Sequence, residues 1–485
     1  MTTHDLIIRD ATLFDGAATP RHRCDVAVDG ERIAAMGDLA AHAADREIAA
    51  KGLALAPGFI DAHTHDDRAL LCEPACMTCK LSQGVTTVVV GNCGVSLAPL
   101  TLTERPPAPL DLLGDARWWT FGRFADYAER LRTSPPPVNA LALIGHLSLR
   151  VAVMGRDTAR AATDRETTGM YDLLVEALED GASGFSTGLA YPPGRMAPTE
   201  EIIALAAALR HSGGIYATHM RDEGDHVLDS IRETLHIGTS ADCAVLISHH
   251  KCTLPENFGK SIETLGLIDR AAKRQVVDLD AYPYAASSTA LLPQLLREDI
   301  PVRISWSLPY PHLAGRMLAD IAREWDTSLG EAAERLLPAG AIYFSMDESD
   351  VRRILAYPRT MIGSDGLPHD AQPHPRLWGT FPRVLGRYAR EQALFDMETA
   401  IYKMTGLTAQ VFGLVDRGIV RPGAYADLVL FDPVTVRDRA TFDDPTAIAA
   451  GILECWVNGQ SAYTAGAGVG GTPAGRLLRR NAVRD

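Results

Sequence analysis

Residues that bind metal ions or move protons recur in this chain just past short apolar runs. In Phe59-Ile60-Asp61-Ala62-His63-Thr64-His65, two histidines are separated by one residue. Side chains alternate along an extended strand, so His63 and His65 point to the same side and can share one ion. Val90-Gly91-Asn92-Cys93-Gly94 places a thiol between two glycine-containing turns. Further on come Thr218-His219, Ser248-His249-His250-Lys251 and Ser364-Asp365-Gly366. Thiolate and imidazole suit Zn(II), and a carboxylate beside them can take and return a proton. Each element alone has a bland reading: a chance HxH, or a buried, inert cysteine. Together, at the ends of strands in one fold, they describe a binuclear metal site.

The surrounding elements have to bring these residues together. From Ala56 onward, short apolar strands alternate with longer segments of helical period, the mark of βα units around a parallel sheet. Eight core strands are expected: Leu55–His63, Thr87–Gly91, Ala140–Gly145, Gly184–Ser186, Gly214–Thr218, Ala244–Ser248, Val276–Asp280 and Thr360–Gly363. Helical faces include Met170, Leu173, Leu174, Ala177 and Leu178. The fold class is therefore α/β, a (β/α)8 TIM barrel, whose active sites assemble at the C-terminal ends of the strands. An insertion after strand seven, about 285–345, is a candidate lid. Residues 1–56 and 411–465 read as short strands, with a hairpin signal at Asp29-Gly30, and are expected to join as one small β-sandwich. The barrel then spans 57–410, and 466–485, rich in Gly, Ala and Arg, reads as a tail.

Composition narrows the function. Apolar residues make up 46% and charged residues 22%, as in soluble globular proteins. No apolar run is long enough to span a bilayer, and Met1–Asp10 lacks an export pattern, so a cytoplasmic location is expected. A net charge of −14 opposes binding to phosphate backbones, which excludes nucleic acid as an expected partner. Eight Cys in so long a chain are thiols or metal ligands rather than a disulfide framework.

The order PGFIDAHTHDD, VVVGNCG, ATHMRDE, LISHHK, MIGSDG and RPGAYADLVLFDP resembles the amidohydrolase superfamily. More narrowly, it resembles the N-acyl-D-amino-acid deacylases (D-aminoacylases), over about residues 5 to 460. In many superfamily members a carboxylated lysine bridges two metals, and in the deacylases a strand-two cysteine takes its place. Here Ala182–Thr187 offers no lysine. The resemblance implies that Cys93, His219 and His249, the first of the histidine pair, hold one tightly bound zinc. It assigns His63, His65 and Asp365, with Cys93 shared, to a second, looser position, and makes Asp365 the general base. The implied reaction is hydrolysis of the amide of an N-acyl-D-amino acid, a small-molecule substrate. A cyclic amidase of hydantoinase or dihydroorotase type and a catalytically dead scaffold are the alternatives. The oligomeric state stays open.

The same resemblance implies that Lys251, Tyr282, Ser288 and Arg376 grip the substrate α-carboxylate. Tyr191, Tyr343 and Met346 are candidate pocket walls. Arg297, in Leu295-Leu296-Arg297-Glu298-Asp299, is expected to reach in from the insertion and pair with an acidic side chain, which makes N-acyl-D-glutamate the best substrate. The bland reading of Arg297 is a surface residue paired with Glu298 or Asp299. Cys72, Cys76 and Cys79 lack the partners of a structural zinc site and read as the first barrel helix.

Overall fold

The computed structural model describes residues 2–481. Eight parallel strands lie in chain order: Phe59–Asp61, Val85–Val90, Asn139–Gly145, Gly184–Gly188, Ile215–His219, Ala244–Ile247, Val277–Ala281 and Thr360–Ile362. The eighth returns to the first, where Ala62 N donates to Ile362 O at 3.1 Å and Asp365 N to His63 O at 2.8 Å. The sheet is thus a closed barrel. Its strands are buried on both faces, as in Val85–Val90 and Asn139–Gly145, because helices cover the outside. That is why they read as continuous apolar runs. The helix Asp164–Glu179 buries Met170, Leu174 and Ala177, and a capping box between Thr163 and Glu166 sets its start.

The expected strand Leu55–His63 is two strands. Ala54–Pro57 pairs with Leu428–Phe431 in the small sheet, while Phe59–Asp61 opens the barrel. The Pro57-Gly58 step between them lets the chain change sheets. The small domain is one nine-stranded sheet built from both ends of the chain, running from Gly468–Val469 through Leu428–Phe431 and Thr3–Leu13 to Arg32–Gly37. It curls until Gly459 packs on the carbonyl of Gly30. Leu6, Ile8, Val26, Ile33, Leu428 and Trp456 fill its core.

The insertion after strand seven is a folded unit. Ser287–Ala290, Ala339–Tyr343 and Val302–Ser307 form an antiparallel sheet, and the helices Leu318–Glu324 and Leu329–Leu336 pack on it through Ile304, Ile321 and Leu336. Among the described residues no helix is long and apolar enough to cross a membrane.

Of the segment read as a tail, residues 475–481 lie across the N-terminal end of the barrel, and residues 482–485 lie outside the described residues. Ala140 N donates to Arg476 O at 2.9 Å and Leu478 N to Ala140 O at 2.7 Å. Leu478 packs with Leu141, Ile215, Leu246 and Phe412, and Arg480 donates to Gly213 O. Its polar composition hid this because Arg479 and Arg480 bond to the carbonyls of Asp180 and Gly213, just before strands four and five, rather than to solvent alone. Ending the chain before Gly475 is expected to cost about 2–4 kcal/mol, the value of two leucines removed from a partly buried face. A thermal melt by circular dichroism checks this; an unchanged midpoint would remove the segment's role in stability.

Candidate active site

The C-terminal ends of the eight strands form one cavity of about 330 Å³. It is lined by His65, Cys93, His219, His249 and Asp365 at its base. Cys93 stands at the centre. Its sulfur lies 3.2 Å from His63 Nε2 and 3.3 Å from His249 Nε2. His65 Nε2 and His63 Nε2 lie 3.3 and 3.6 Å from Asp365 Oδ1. His219 and His249 meet edge to face at 4.5 Å between ring centres. Two buried donor groups result, His63/His65/Cys93/Asp365 and Cys93/His219/His249, each with its donor atoms within 4.8 Å of one another. Burial opposes a charged thiol, but His63 and His249 outweigh it and hold Cys93 well below the usual thiol range. A thiolate, imidazole nitrogens and a carboxylate gathered this closely fit a metal ion such as zinc.

Local backbone geometry makes this convergence. Cys93, His249 and Asp365 have φ of 53°, 34° and 50°, the left-handed region that L residues adopt only when their surroundings impose it. Before Cys93, Gly91 has φ 77°, and a Cβ there would lie 2.0 Å from Leu143 O. Across from it, a Cβ on Gly188 would lie 2.2 Å from the Cys93 carbonyl. Strand four therefore carries no side chain where Cys93 enters.

His250 turns away from the cavity. Its Nε2 bonds Thr264 Oγ1 at 2.8 Å, and burial pushes its pKa down to about 4, so it is neutral. Two residues that sequence reasoning left unassigned orient the histidines. Asp280 Oδ1 accepts from His249 N at 2.9 Å and faces His63 Nδ1 at 3.4 Å. Glu223 lies 3.1 Å from His249 Nδ1 and 2.7 Å from Lys251 Nζ. Burial opposes the charge of Glu223, but Lys251, His219 and His249 prevail and keep it ionised. Such carboxylates fix the tautomer and orientation of a ligating imidazole. The available signal was an acidic residue at or just past the end of a barrel strand.

Beside the donors, Lys251 and Arg376 flank Tyr282, at 5.6 and 4.5 Å from its ring centre. Arg376 is fully buried, 3.0 Å from Asp365 Oδ2, and donates to Ser288 O at 2.9 Å. Burial pushes the Tyr282 hydroxyl up to about 12, so it stays a donor. The Ser288 hydroxyl lines the cavity and has no hydrogen-bond partner among the described residues. The Tyr191 ring lies tilted against His219 at 4.8 Å between centres, and its hydroxyl bonds Thr289 Oγ1 of the insertion at 3.0 Å, so the insertion covers the cavity. Tyr343 lines the cavity as well, and Met346 accepts from Tyr282.

Arg297 is the exception. It does not line the cavity; its guanidinium pairs with Asp299 at 2.7 Å and with Glu256 at 2.5 Å. The reason is local: Asp299 stands two residues away and Glu256 faces it across the rim, so its charge is satisfied at the surface. Leu254, Leu292, Leu295 and Ile300 line that side instead. Cys72 follows the short helical turn Ala69–Leu71, and Cys76 and Cys79 lie on the turns Pro74–Met77 and Thr78–Leu81; all three are free thiols.

Cys93→Ala is expected to lose bound metal and turnover together, because both donor groups use that sulfur. Gly188→Ala, which pushes on the Cys93 carbonyl, should weaken metal binding by about 10–100-fold. Plasma mass spectrometry of dialysed protein reads both; full metal content in Cys93→Ala would remove the cysteine from the site.

The amidohydrolase family, by its sequence model, matches residues 46–271 and 318–463. Three proteins of Alcaligenes xylosoxydans xylosoxydans are similar over nearly the whole chain. A D-aminoacylase is 55% identical, covering 99% of this chain and 98% of its own. An N-acyl-D-aspartate deacylase is 52% identical, covering 95% and 92%. An N-acyl-D-glutamate deacylase is 50% identical, covering 99% and 97%. The crystal structure of a D-aminoacylase superposes with a TM-score of 0.96 at 54% identity, over 98% of this chain and 100% of that one. That of an N-acyl-D-glutamate deacylase from Bordetella bronchiseptica, complexed with zinc and a phosphonate inhibitor, gives 0.95 at 47% identity over the same shares. This chain belongs to the amidohydrolase family, in the branch of the D-aminoacylases and N-acyl-D-amino-acid deacylases.

Proposed function

We propose that this chain is a zinc-dependent deacylase that hydrolyses N-acyl-D-amino acids to a carboxylate and a free D-amino acid, with N-acyl-D-glutamate as its best substrate. The observation that carries the deacylase reading is that one cavity is lined both by the metal donors Cys93, His219, His249 and Asp365 and by Lys251, Tyr282 and Ser288, with the buried Arg376 held between Asp365 and Tyr282. The D configuration comes from the relatives at 50–55% identity. A cyclic amidase is disfavoured, since strand four presents Gly188 rather than a lysine to the centre. A dead scaffold is disfavoured because no donor is missing.

Cys93, His219 and His249 would hold the tightly bound zinc, and His63, His65 and Asp365 a looser second position. A bound zinc supplies Lewis acidity toward the scissile carbonyl and a more acidic attacking water. Asp365 takes the proton of that water and returns it to the leaving amine. Burial opposes its ionisation, but Arg376 and His249 outweigh that and hold its carboxyl well below the usual range, so it begins as the base. Lys251 and Arg376 offer positive charge to the α-carboxylate, and Tyr282 and Ser288 offer hydroxyl donors. The insertion, tied down by Tyr191 and Thr289, keeps bulk water out of the cavity.

Arg297 supports the glutamate reading by its place. It lies two residues past Leu295, which lines the cavity, and its partners Asp299 and Glu256 have side chains 51% and 53% exposed. Exposed pairs of this kind contribute little, so exchanging one for a substrate carboxylate costs little. The apolar wall of Leu254, Leu292, Leu295 and Ile300 favours a second reading, an apolar D-side chain.

Asp365→Asn should keep the fold and most of the zinc, and lose about 10²–10⁴-fold in turnover. A loss below about tenfold would assign the base elsewhere. Arg297→Leu should cut turnover of N-acyl-D-glutamate by about 30-fold, the equivalent of losing one member of a charge pair worth about 2 kcal/mol, and spare N-acyl-D-methionine. A wild-type enzyme that prefers N-acyl-D-methionine would leave the deacylase standing and replace glutamate with the apolar reading.

A further inference from the structure

Beside the cavity lies a buried charge cluster that the proposed chemistry does not use. Lys80, on the short helix Thr78–Leu81, is fully buried. Its Nζ lies 2.8 Å from Asp61 Oδ2 and 3.2 Å from Asp66 Oδ2, and it donates to Ser364 Oγ at 2.7 Å. The other oxygen of Asp61 accepts from Ser364 N at 2.7 Å and from His63 N at 3.3 Å. Ser364 Oγ accepts in turn from Gly366 N at 3.2 Å. These bonds end on the residues either side of Asp365, or on His63. Asp365 itself sits at φ 50°, with its own N–H held by His63 O.

Two aspartates cannot stay charged in a dry interior without a cation. A lysine suits this place because a compact ammonium with three donors can meet three oxygens from different directions, which a planar guanidinium cannot. With only 6 Lys in the chain against 41 Arg, a lysine in this pocket is not a default choice of cation. The cluster joins the helix after strand one to the loop after strand eight, across the seam where the barrel closes.

We propose that Lys80 is a positioning residue for the general base. Through Asp61 and Ser364 it holds the Ser364–Gly366 turn in the left-handed conformation that aims the Asp365 carboxylate into the cavity. The inference rests on the deacylase reading and deepens it. A residue that served stability alone would change the melting temperature without changing turnover per folded, metal-loaded molecule.

The test uses the full-length, metal-loaded enzyme and three variants: Lys80→Met, Ser364→Ala, and the double variant Lys80→Met/Asp61→Asn. For each, kcat, KM, bound metal and the melting temperature are measured on the substrate the wild type prefers. Lys80→Met should lower kcat by about 10–100-fold through misplacement of the base, with KM changed less than about threefold. Metal on Cys93, His219 and His249 should remain, since strands two, five and six carry no part of the cluster. The double variant should regain part of the lost kcat, because the amide oxygen introduced by Asp61→Asn still accepts from Ser364 N and only Asp66, which makes no bond to Ser364, is left without its cation. Ser364→Ala, which removes one hydroxyl and no charge, should lower kcat by about five- to tenfold with an unchanged melting temperature. Lower stability with wild-type kcat in Lys80→Met overturns the inference. If Lys80→Met does not fold, Ser364→Ala decides alone, and wild-type kcat there overturns it. A wild-type chain inert toward every N-acyl-D-amino acid overturns the deacylase reading and this inference with it; an active wild type with equally active variants overturns only the inference.

Discussion

One sulfur has to serve two sets of donors. Cys93 belongs to both buried groups, and each is incomplete without it. To reach the centre, its backbone turns left-handed between Gly91 and Gly94, with Leu143 O pressed against the first and Leu147 against the second. The facing strand ends in Gly188, whose missing side chain leaves room for the Cys93 carbonyl. Had strand four carried a long side chain there, the sulfur could not sit where it does. The rest of the site is arranged around that entry.

Burying so many ionisable groups in one place calls for compensation in layers. His249 is oriented by Asp280 and Glu223, Glu223 by Lys251, and Asp365 by Arg376. Around the barrel seam Lys80 does the same for Asp61 and Asp66. Glu223 beside Lys251, Asp365 beside Arg376 and Asp61 beside Lys80 each have an opposite charge within hydrogen-bond reach, as a low-dielectric interior requires. The groups closest to the cavity are the ones the proposed chemistry uses, so structural pairing and that chemistry share the same side chains.

The accessory elements give the cavity its roof and the barrel its floor. The insertion reaches from strand seven to Tyr191 after strand four, and Thr289 meets that tyrosine across the opening. The C-terminal segment covers the opposite end, where its backbone pairs with Ala140 at the start of strand three. The curled sheet takes strands from both ends of the chain and holds the first barrel strand through Ala54–Pro57, directly before it.

Much of this was legible in the residues alone. Alternation of apolar strands with helical segments determined the barrel, since parallel strands buried on both faces must be apolar throughout. The period-two spacing of His63 and His65, the glycines around Cys93, and the polar groups closing strands five, six and eight determined which residues could converge. What the sequence could not decide was which neighbour each charge would choose. Asp280, Glu223 and Lys80 gained their places only when strands distant in sequence were brought side by side, and Arg297 found Glu256 across the rim, 41 residues away. The polar C-terminal segment likewise acquired a fixed place only because the carbonyls just before strands four and five were left for Arg479 and Arg480 to meet. Pattern follows from chain-local periodicity, whereas pairing of charges depends on distances that exist only in the folded molecule.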